Sequence, residues 1–196
     1  HTIARAQTAP AEGYRSPAVD TGNFLIEAYF RTRPGHGAAV LAEKMAEAGY
    51  SLALGVDGKA VFRVKSEAGE AEVAGRAALN DGAWHHLVAE ADRHAGTLAL
   101  YVDGRQDAAG EGLQAVGSLA NDQDLCVGGT PKGRCLAGEL EFLRIALGTL
   151  KDSKTTIDEL HRWQFDGPQH RDFCGHPPGD ARDAGAIDGS ADGRAR

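Results

Sequence analysis

The feature that most constrains this chain is an alternation of apolar with polar or small side chains that has a period of two residues. Residues 24–31 show it first: Phe24 and Phe30 fall on one face of a predicted strand, and Glu27 and Arg31 fall on the other. Similar segments follow at a spacing of about ten residues, which is typical of antiparallel sandwiches and barrels. The alternation therefore predicts an all-β fold.

Two Asp-Gly pairs mark tight turns between predicted strands. Asp57–Gly58 separates residues 50–56 from residues 60–64, which predicts a β-hairpin because these residue types accept positive φ angles. Asp103–Gly104 follows a strand that we expect to pair with the strand beginning at Trp84.

The last two predicted elements are a long strand and a short helix. The strand covers about residues 136–147, and its alternation slips between Leu140 and Leu143 as a β-bulge would cause it to do. Thr156 and Glu159 form a capping-box signature. The helix that follows has an apolar stripe of Ile157, Leu160 and Trp163, and we expect it to dock on the sheets.

The chain divides into one domain and two extended segments. Large apolar residues concentrate in the middle, which predicts a domain at residues 23–166. Residues 1–22 are an extended lead-in, with a short pairing segment expected near Val19. Residues 167–196 are rich in Gly, Asp and Arg and form a tail or linker, since they hold few large apolar residues to offset the entropy of ordering.

Charge and hydropathy exclude two classes of partner. The formal net charge of -7 argues against nucleic acid, whose binders usually carry a clustered basic patch. No segment approaches the ~18 consecutive apolar residues of a membrane span.

Cys126 and Cys135 flank a turn-like segment, VGGTPKGR, so two adjacent strands could bring their sulfurs within disulfide reach. The alternative is two buried thiols that never pair. Cys174 is left over in either case.

Three segments carry a resemblance to a known family: NFLIEAYFRTRP, LNDGAWHHLVAEADRHAGTLALYVDG and LAGELEFLRIALGTL. Over about residues 23–150 they resemble the laminin-G-like jelly-roll domains of the concanavalin A-like superfamily. The resemblance implies an antiparallel two-sheet jelly-roll sandwich, to which the residue patterns above add one short C-terminal helix and extended tails. Because family members accompany polysaccharide-cleaving enzymes or act in adhesion, it also implies carbohydrate or protein ligands and a secreted or cell-surface location.

Glycosidases of this superfamily carry Glu-x-Asp-x-x-Glu on one strand. The closest string here runs from Glu139 to Arg144, and Arg144 stands where the general acid would be. Glycoside hydrolysis requires a pair of carboxyl groups, so we expect no enzyme activity.

The resemblance also implies a structural calcium ion. Glu141 falls where many relatives place a calcium-binding Asp, and Asp20 is a possible second ligand. The alternative is a solvated acidic surface.

Four side chains are candidate ligand contacts because alternation points them away from the core: Tyr29, Arg31, Arg63 and Tyr101. Trp84 is expected in the core. His85 and His86 are expected to point to opposite faces and to share no metal ion.

The sequence therefore predicts a non-catalytic carbohydrate-binding accessory module of a secreted or cell-surface protein, which binds a polysaccharide or glycan beside a catalytic domain or protein partner. A protein adhesion or assembly module is the alternative, and a polysaccharide-cleaving enzyme is a third hypothesis.

Overall fold

The computed structural model describes residues 4–6 and 19–165, with side chains from residue 19 to residue 162. In this part of the chain, eleven strands form two antiparallel sheets that enclose one core. This arrangement confirms the predicted two-sheet sandwich. The predicted tail at residues 167–196 and most of the predicted lead-in lie outside the described residues.

Both sheets pair neighbouring strands in antiparallel register. The six-stranded sheet has the spatial order β1 (Ala4–Ala6), β10 (Leu125–Val127), β3 (Ala39–Met45), β4 (Gly49–Leu54), β5 (Lys59–Lys65) and β6 (Glu70–Ala78). The five-stranded sheet has the spatial order β11 (Gly138–Leu147), β2 (Phe24–Thr32), β7 (Trp84–Asp92), β8 (Thr97–Val102) and β9 (Arg105–Glu111). A short 3-10 turn at Leu113–Ala115 follows β9.

The core is built from the apolar members of each alternation. Phe24 of β2 is fully buried, and its ring centroid lies 5.4 Å from that of Tyr50 and 5.8 Å from that of Phe62. Tyr50 and Phe62 belong to the opposite sheet. Burying side chains of this size stabilises the fold by about 1.5–3 kcal/mol each. The two-residue period then places the intervening side chains on the outer faces.

Local geometry confirms both predicted hairpins and the bulge, although in the first hairpin turn Gly58 has a positive φ angle, 77°, and Asp57 does not. Asp103 and Gly104 have φ angles of 49° and 79°, which close the hairpin between β8 and β9. The register of β11 against β2 shifts between Leu140 and Phe142. Glu141 is therefore the extra residue of the bulge.

The predicted helix, α1 (Ile157–Phe165), begins at a capping box. The backbone N–H of Thr156 donates to Glu159 Oε2 at 2.9 Å, and the N–H of Glu159 donates to Thr156 Oγ1 at 3.2 Å. Leu160 packs against Leu25 and Val88 on the outer face of the five-stranded sheet, as expected for a docked helix. No helix in the described residues is long and apolar enough to cross a membrane.

The edge strands β6 and β9 belong to different sheets and lie side by side. Asp107 of β9 accepts hydrogen bonds from the backbone N–H groups of Arg76 at 2.6 Å and Ala77 at 3.2 Å. A side chain of one sheet therefore satisfies edge donors of the other.

Cys126 and Cys135 are not joined by a disulfide in the structure, so of the two alternatives that the sequence left open the bonded one is not formed. The reason is the register of the turn. The N–H of Leu136 donates to the carbonyl of Gly128 at 2.9 Å, and a Cβ on Gly129 would come within 3.0 Å of Cys135 Sγ. Cys135 therefore lies opposite Gly129 and not opposite Cys126.

The N-terminal pairing segment also differs from its prediction. It lies at Ala4–Ala6, where β1 pairs with β10, and not near Val19. Val19 is instead buried as part of the core.

Candidate functional site

The outer face of the six-stranded sheet carries an open groove with a volume of about 900 Å³. Outward side chains of β3, β4, β5 and β6 form its floor, and residues 123–134 contribute one wall. Ligand sites in proteins commonly have volumes of about 300–1,000 Å³, so the groove is large enough for an extended small ligand. None of the described residues that line it is aromatic.

A row of four polar side chains crosses the groove floor. Glu72 of β6 pairs in register with Arg63 of β5, Arg63 with Ser51 of β4, and Ser51 with Glu43 of β3. All four point outward because their chain neighbours fill the core. Neighbouring strands are about 4.8 Å apart, so the row is about 14 Å long.

Arg63 occupies one half of this row. Its Nη2 donates to Glu70 Oε2 at 2.6 Å. Its Nε atom is buried and has no hydrogen-bond acceptor among the described residues. The distance from this Nε to Glu72 Oε2 is 4.0 Å. The bond from Arg63 lowers the pKa of the Glu70 carboxyl and raises the pKa of the guanidinium. Both groups therefore stay charged at neutral pH.

Glu43 occupies the other half of the row. Its Oε2 accepts hydrogen bonds from Ser51 Oγ at 3.0 Å and from Arg134 Nη2 at 2.9 Å. Sequence reasoning missed Glu43, Ser51 and Arg134 and predicted only Arg63 of this groove. Glu43 and Arg134 are 91 positions apart, and no local pattern indicates that they meet.

A second cluster, the aromatic platform, lies on the outer face of the five-stranded sheet and consists of Tyr29, Arg31 and Trp84. The rings of Tyr29 and Trp84 stack with centroids 4.8 Å apart, and the Arg31 guanidinium lies 5.1 Å from the Trp84 centroid. Arg31 also donates to Glu139 Oε1 at 2.7 Å. Burial raises the pKa of Tyr29, and the charge of Glu141 adds to this effect.

Trp84 is therefore not a core residue, and the prediction that it packs in the core is wrong. The inward positions of β7 are Leu87 and Ala89, so the two-residue period places Trp84 with His86 on the outer face. Trp84 is half-buried there by its platform neighbours.

The four predicted ligand contacts separate onto three surfaces. Tyr29 and Arg31 lie together in the aromatic platform, and Arg63 lies in the groove on the opposite sheet. Tyr101 is half-buried next to α1, where it shares a cleft of about 440 Å³ with Glu90. Burial raises the pKa of Tyr101 to about 12. These residues therefore cannot form one binding site.

A buried charged network lies on the same sheet as the aromatic platform, and sequence reasoning missed it. Glu27 is fully buried, and its Oε1 accepts a hydrogen bond from His86 Nε2 at 2.8 Å. Arg144 Nε donates to Glu27 Oε2 at 2.9 Å, and His86 Nδ1 lies 3.0 Å from His161 Nδ1 of α1. One sequence signal could have indicated this network. Val88 is an apolar residue at an outward position of β7, which indicates that the outer face of this sheet is covered there.

The two predicted calcium ligands do not lie together. Glu141 is in the bulge opposite Tyr29 and Phe30. Asp20 precedes the start of β2, and its backbone carbonyl accepts a hydrogen bond from Arg93. At about 3.3 Å per residue, more than 15 Å of strand separates them, so the pair does not fit one calcium ion. No three His, Cys, Asp or Glu side chains in the described residues are grouped to hold a metal.

The fold is a β-sandwich of lectin-like architecture, with a polar groove on the outer face of one sheet. A family model for the concanavalin A-like lectin/glucanases superfamily, of laminin G type, matches residues 8–154. The chain belongs to this family, as its sequence resemblance implied. No curated protein sequence matches the chain.

Three solved structures show the same fold. The binding domain of Paraclostridial Mosquitocidal Protein 1 is 18% identical, with a TM-score of 0.60 over 84% of this chain and 42% of that one. Domains LG4-5 of the mouse laminin alpha1 chain are 15% identical, with a TM-score of 0.55 over 74% and 40%. The CBM40 of Ruminococcus gnavus IT-sialidase, bound to alpha2,3 sialyllactose, is 12% identical, with a TM-score of 0.53 over 67% and 80%. The chain thus spans about two fifths of the first two structures.

Proposed function

We propose that this chain is a non-catalytic carbohydrate-binding module that holds a glycan in the groove of the six-stranded sheet. The observation that carries the proposal is the polar row on the groove floor, from Glu72 to Glu43. Hydroxyl groups of a glycan can donate to the two carboxylates of this row and accept from its one guanidinium, that of Arg63. The fold shared with a sialyllactose-bound CBM40 supports this proposal.

The separation of the carboxylates supports a binding role and not a hydrolytic one. The backbones of Glu43 on β3 and Glu72 on β6 are about 14 Å apart, three strand spacings, whereas the carboxyl groups of a glycosidase pair are about 5–9.5 Å apart. Glu70 is nearer to Glu72, but its pKa is lowered by Arg63. A general acid needs a raised pKa, so Glu70 is poorly suited to that role.

Affinity electrophoresis of the full chain on a panel of plant, algal and microbial polysaccharides tests the proposal. We expect retardation by at least one polymer, without release of reducing ends. Arg63→Gln should weaken this binding by about tenfold or more, because it removes charge-assisted hydrogen bonds to the ligand.

Arg105→Gln is the matched control, because Arg105 is exposed on β9 of the opposite sheet. Thermal unfolding of both variants establishes that they are folded. A folded Arg63→Gln protein with unchanged retardation would remove the groove from the proposal.

The second candidate function is protein adhesion or assembly, and the aromatic platform is the observation that favours it. Tyr, Trp and Arg are enriched at protein interfaces. The aromatic platform brings together one residue of each type, Tyr29, Trp84 and Arg31. Sedimentation of the wild type and of Arg31→Glu over a wide concentration range tests for self-association. Monomers at every concentration would count against this assembly.

We further propose that the module acts in a secreted or cell-surface protein, beside a catalytic domain or a protein partner. The family membership and the fold shared with domains LG4-5 of the mouse laminin alpha1 chain support this location. Detection of the protein in culture medium or on intact cells tests it.

A further inference from the structure

We infer that the groove selects neutral, hydroxyl-rich glycans and excludes polyanionic ones. The inference rests on the proposed function, because it names the ligand class of the same groove.

The described part of the groove lining carries more negative than positive groups. Its carboxylates are Glu43, Glu47, Glu72 and Asp124, and its cations are Arg63, Lys132 and Arg134. Ion pairs involve groups of both signs: Arg63 pairs with Glu70 and Glu72, and Arg134 pairs with Glu43. Glu47 pairs with Lys65, which lies outside the lining, so the excess of one negative charge remains when these partners are included. A polyanion in the groove would place its charges next to these carboxylates, where partial removal of water strengthens the repulsion.

Arg63 and Glu72 can share one ligand hydroxyl through their exposed atoms, since their side chains are 44% and 49% exposed. Arg63 Nε and Glu72 Oε2 are 4.0 Å apart, which is too long for a hydrogen bond. A hydroxyl between the guanidinium and the carboxylate can accept from the first and donate to the second, as a bridging water does. A carboxylate or sulfate group of a ligand could accept from Arg63 but has no proton to give to Glu72.

The Glu43 half of the row has the same preference. Both of its hydrogen bonds from described residues go to Oε2, so Oε1 has no donor from this part of the chain. An ionised carboxylate oxygen accepts only, and a ligand hydroxyl supplies the proton that it needs. Ser51 Oγ donates its proton to Glu43 and keeps lone pairs that can accept from a second hydroxyl.

The test compares one polymer in three chemical forms. The neutral polysaccharide that retards the full chain most strongly is compared with its carboxymethyl derivative, which is anionic, and its hydroxyethyl derivative, which is neutral and equally substituted. We expect the dissociation constant for the carboxymethyl form to be about tenfold or more above that of the hydroxyethyl form at low salt, with a smaller ratio at high salt.

Comparison of the three forms of the polymer distinguishes a failure of this inference from a failure of the proposed function. Equal or tighter binding of the carboxymethyl form would overturn the inference and leave the proposed function standing. Retardation by no polysaccharide would remove the proposed function, and this inference with it.

A variant that removes one charge from the groove tests whether the groove causes the selectivity between the two derivatives. Glu72→Gln should reduce the ratio between the two derivatives by about threefold or more, because it removes one repelling charge and keeps a carbonyl acceptor. Glu111→Gln is the control, since Glu111 is an exposed carboxylate on β9 of the opposite sheet. An equal ratio in wild type and in a folded Glu72→Gln protein would contradict the inference.

Discussion

At the scale of single residues, His85 shows how one side chain joins two turns. Its Nδ1 lies 2.9 Å from Asp103 Oδ2, and its Nε2 lies 3.1 Å from Asp81 Oδ1. The hydrogen bond with Asp103 is the main cause that raises the pKa of His85, and the bond with Asp81 adds to it. The adjacent His86 points to the other face of the strand, as its position in the sequence predicts.

We expect His85→Gln to lower the free energy of unfolding in a pH-dependent way. The pKa of His85 is raised on folding, so the protonated ring stabilises the folded state fully at pH values below its unfolded pKa of about 6.5. This contribution is lost as the pH rises through the folded pKa. Urea unfolding of both proteins at acidic and alkaline pH should therefore show a larger difference in acid. A difference that grows with pH would contradict this assignment.

Glu27 is the residue whose loss we expect to be most damaging. Glu27→Gln leaves Arg144 and His86 without their buried carboxylate, and breaking a buried pair costs about 3–5 kcal/mol. Arg144 is partly exposed, so we expect about 2–3 kcal/mol for the urea-derived free energy of unfolding. Glu139→Gln, which breaks an exposed pair with Arg31, should change it by less than about 1 kcal/mol. Similar effects of the two variants would refute the structural role of the network.

At the scale of elements, the sequence predicted the strands and the bulge in which the alternation of apolar and polar residues matches their burial in the fold. The strand at residues 24–31 was predicted, and so was the bulge near Leu140, because both appear in the alternation itself. Strand β3 shows no such alternation. Its register shifts between Val40 and Ala42, and its buried Lys44 reaches the carbonyl of Gln123. The groove could not be predicted in full because its floor depends on this strand.

The docking of α1 is the element-scale contact that we expect to matter most for stability. Leu160 is 7% exposed and packs on Leu25, Val88 and Leu150. Leu160→Ala should destabilise the protein by about 2–3 kcal/mol, since it removes a buried side chain at the edge of the fold. Arg162→Ala, at an exposed position of the same helix, should have an effect of less than about 1 kcal/mol. Thermal unfolding measures both, and equal midpoints would show that the helix is not held by this contact.

At the scale of the whole molecule, the two sheets present different chemistry on their outer faces. The six-stranded sheet carries a polar groove, whereas the five-stranded sheet carries the aromatic platform and α1. Alternation predicted which side chains point outward, but it could not assign them to one sheet or the other. Tyr29 and Arg63 were therefore correctly predicted to point outward, but their positions on different sheets could not be predicted.

The separation of Glu141 from Asp20 gives a prediction about calcium. A site that needs both residues cannot form, so we expect the thermal midpoint of the full chain to be the same with calcium and with a chelator. Glu141→Gln should leave both midpoints unchanged. A higher midpoint in calcium that is lost in Glu141→Gln would show that Glu141 binds the ion with other partners.

The contact of Asp107 with the backbone of β6 has a consequence for how this molecule behaves when crowded. Unsatisfied amide groups at a sheet border can recruit a strand from another molecule and start fibrous aggregates. Arg76 and Ala77 already have an acceptor within their own chain. At high concentration, copies of this chain that meet along this border therefore lack two of the free amide groups from which such pairing would start.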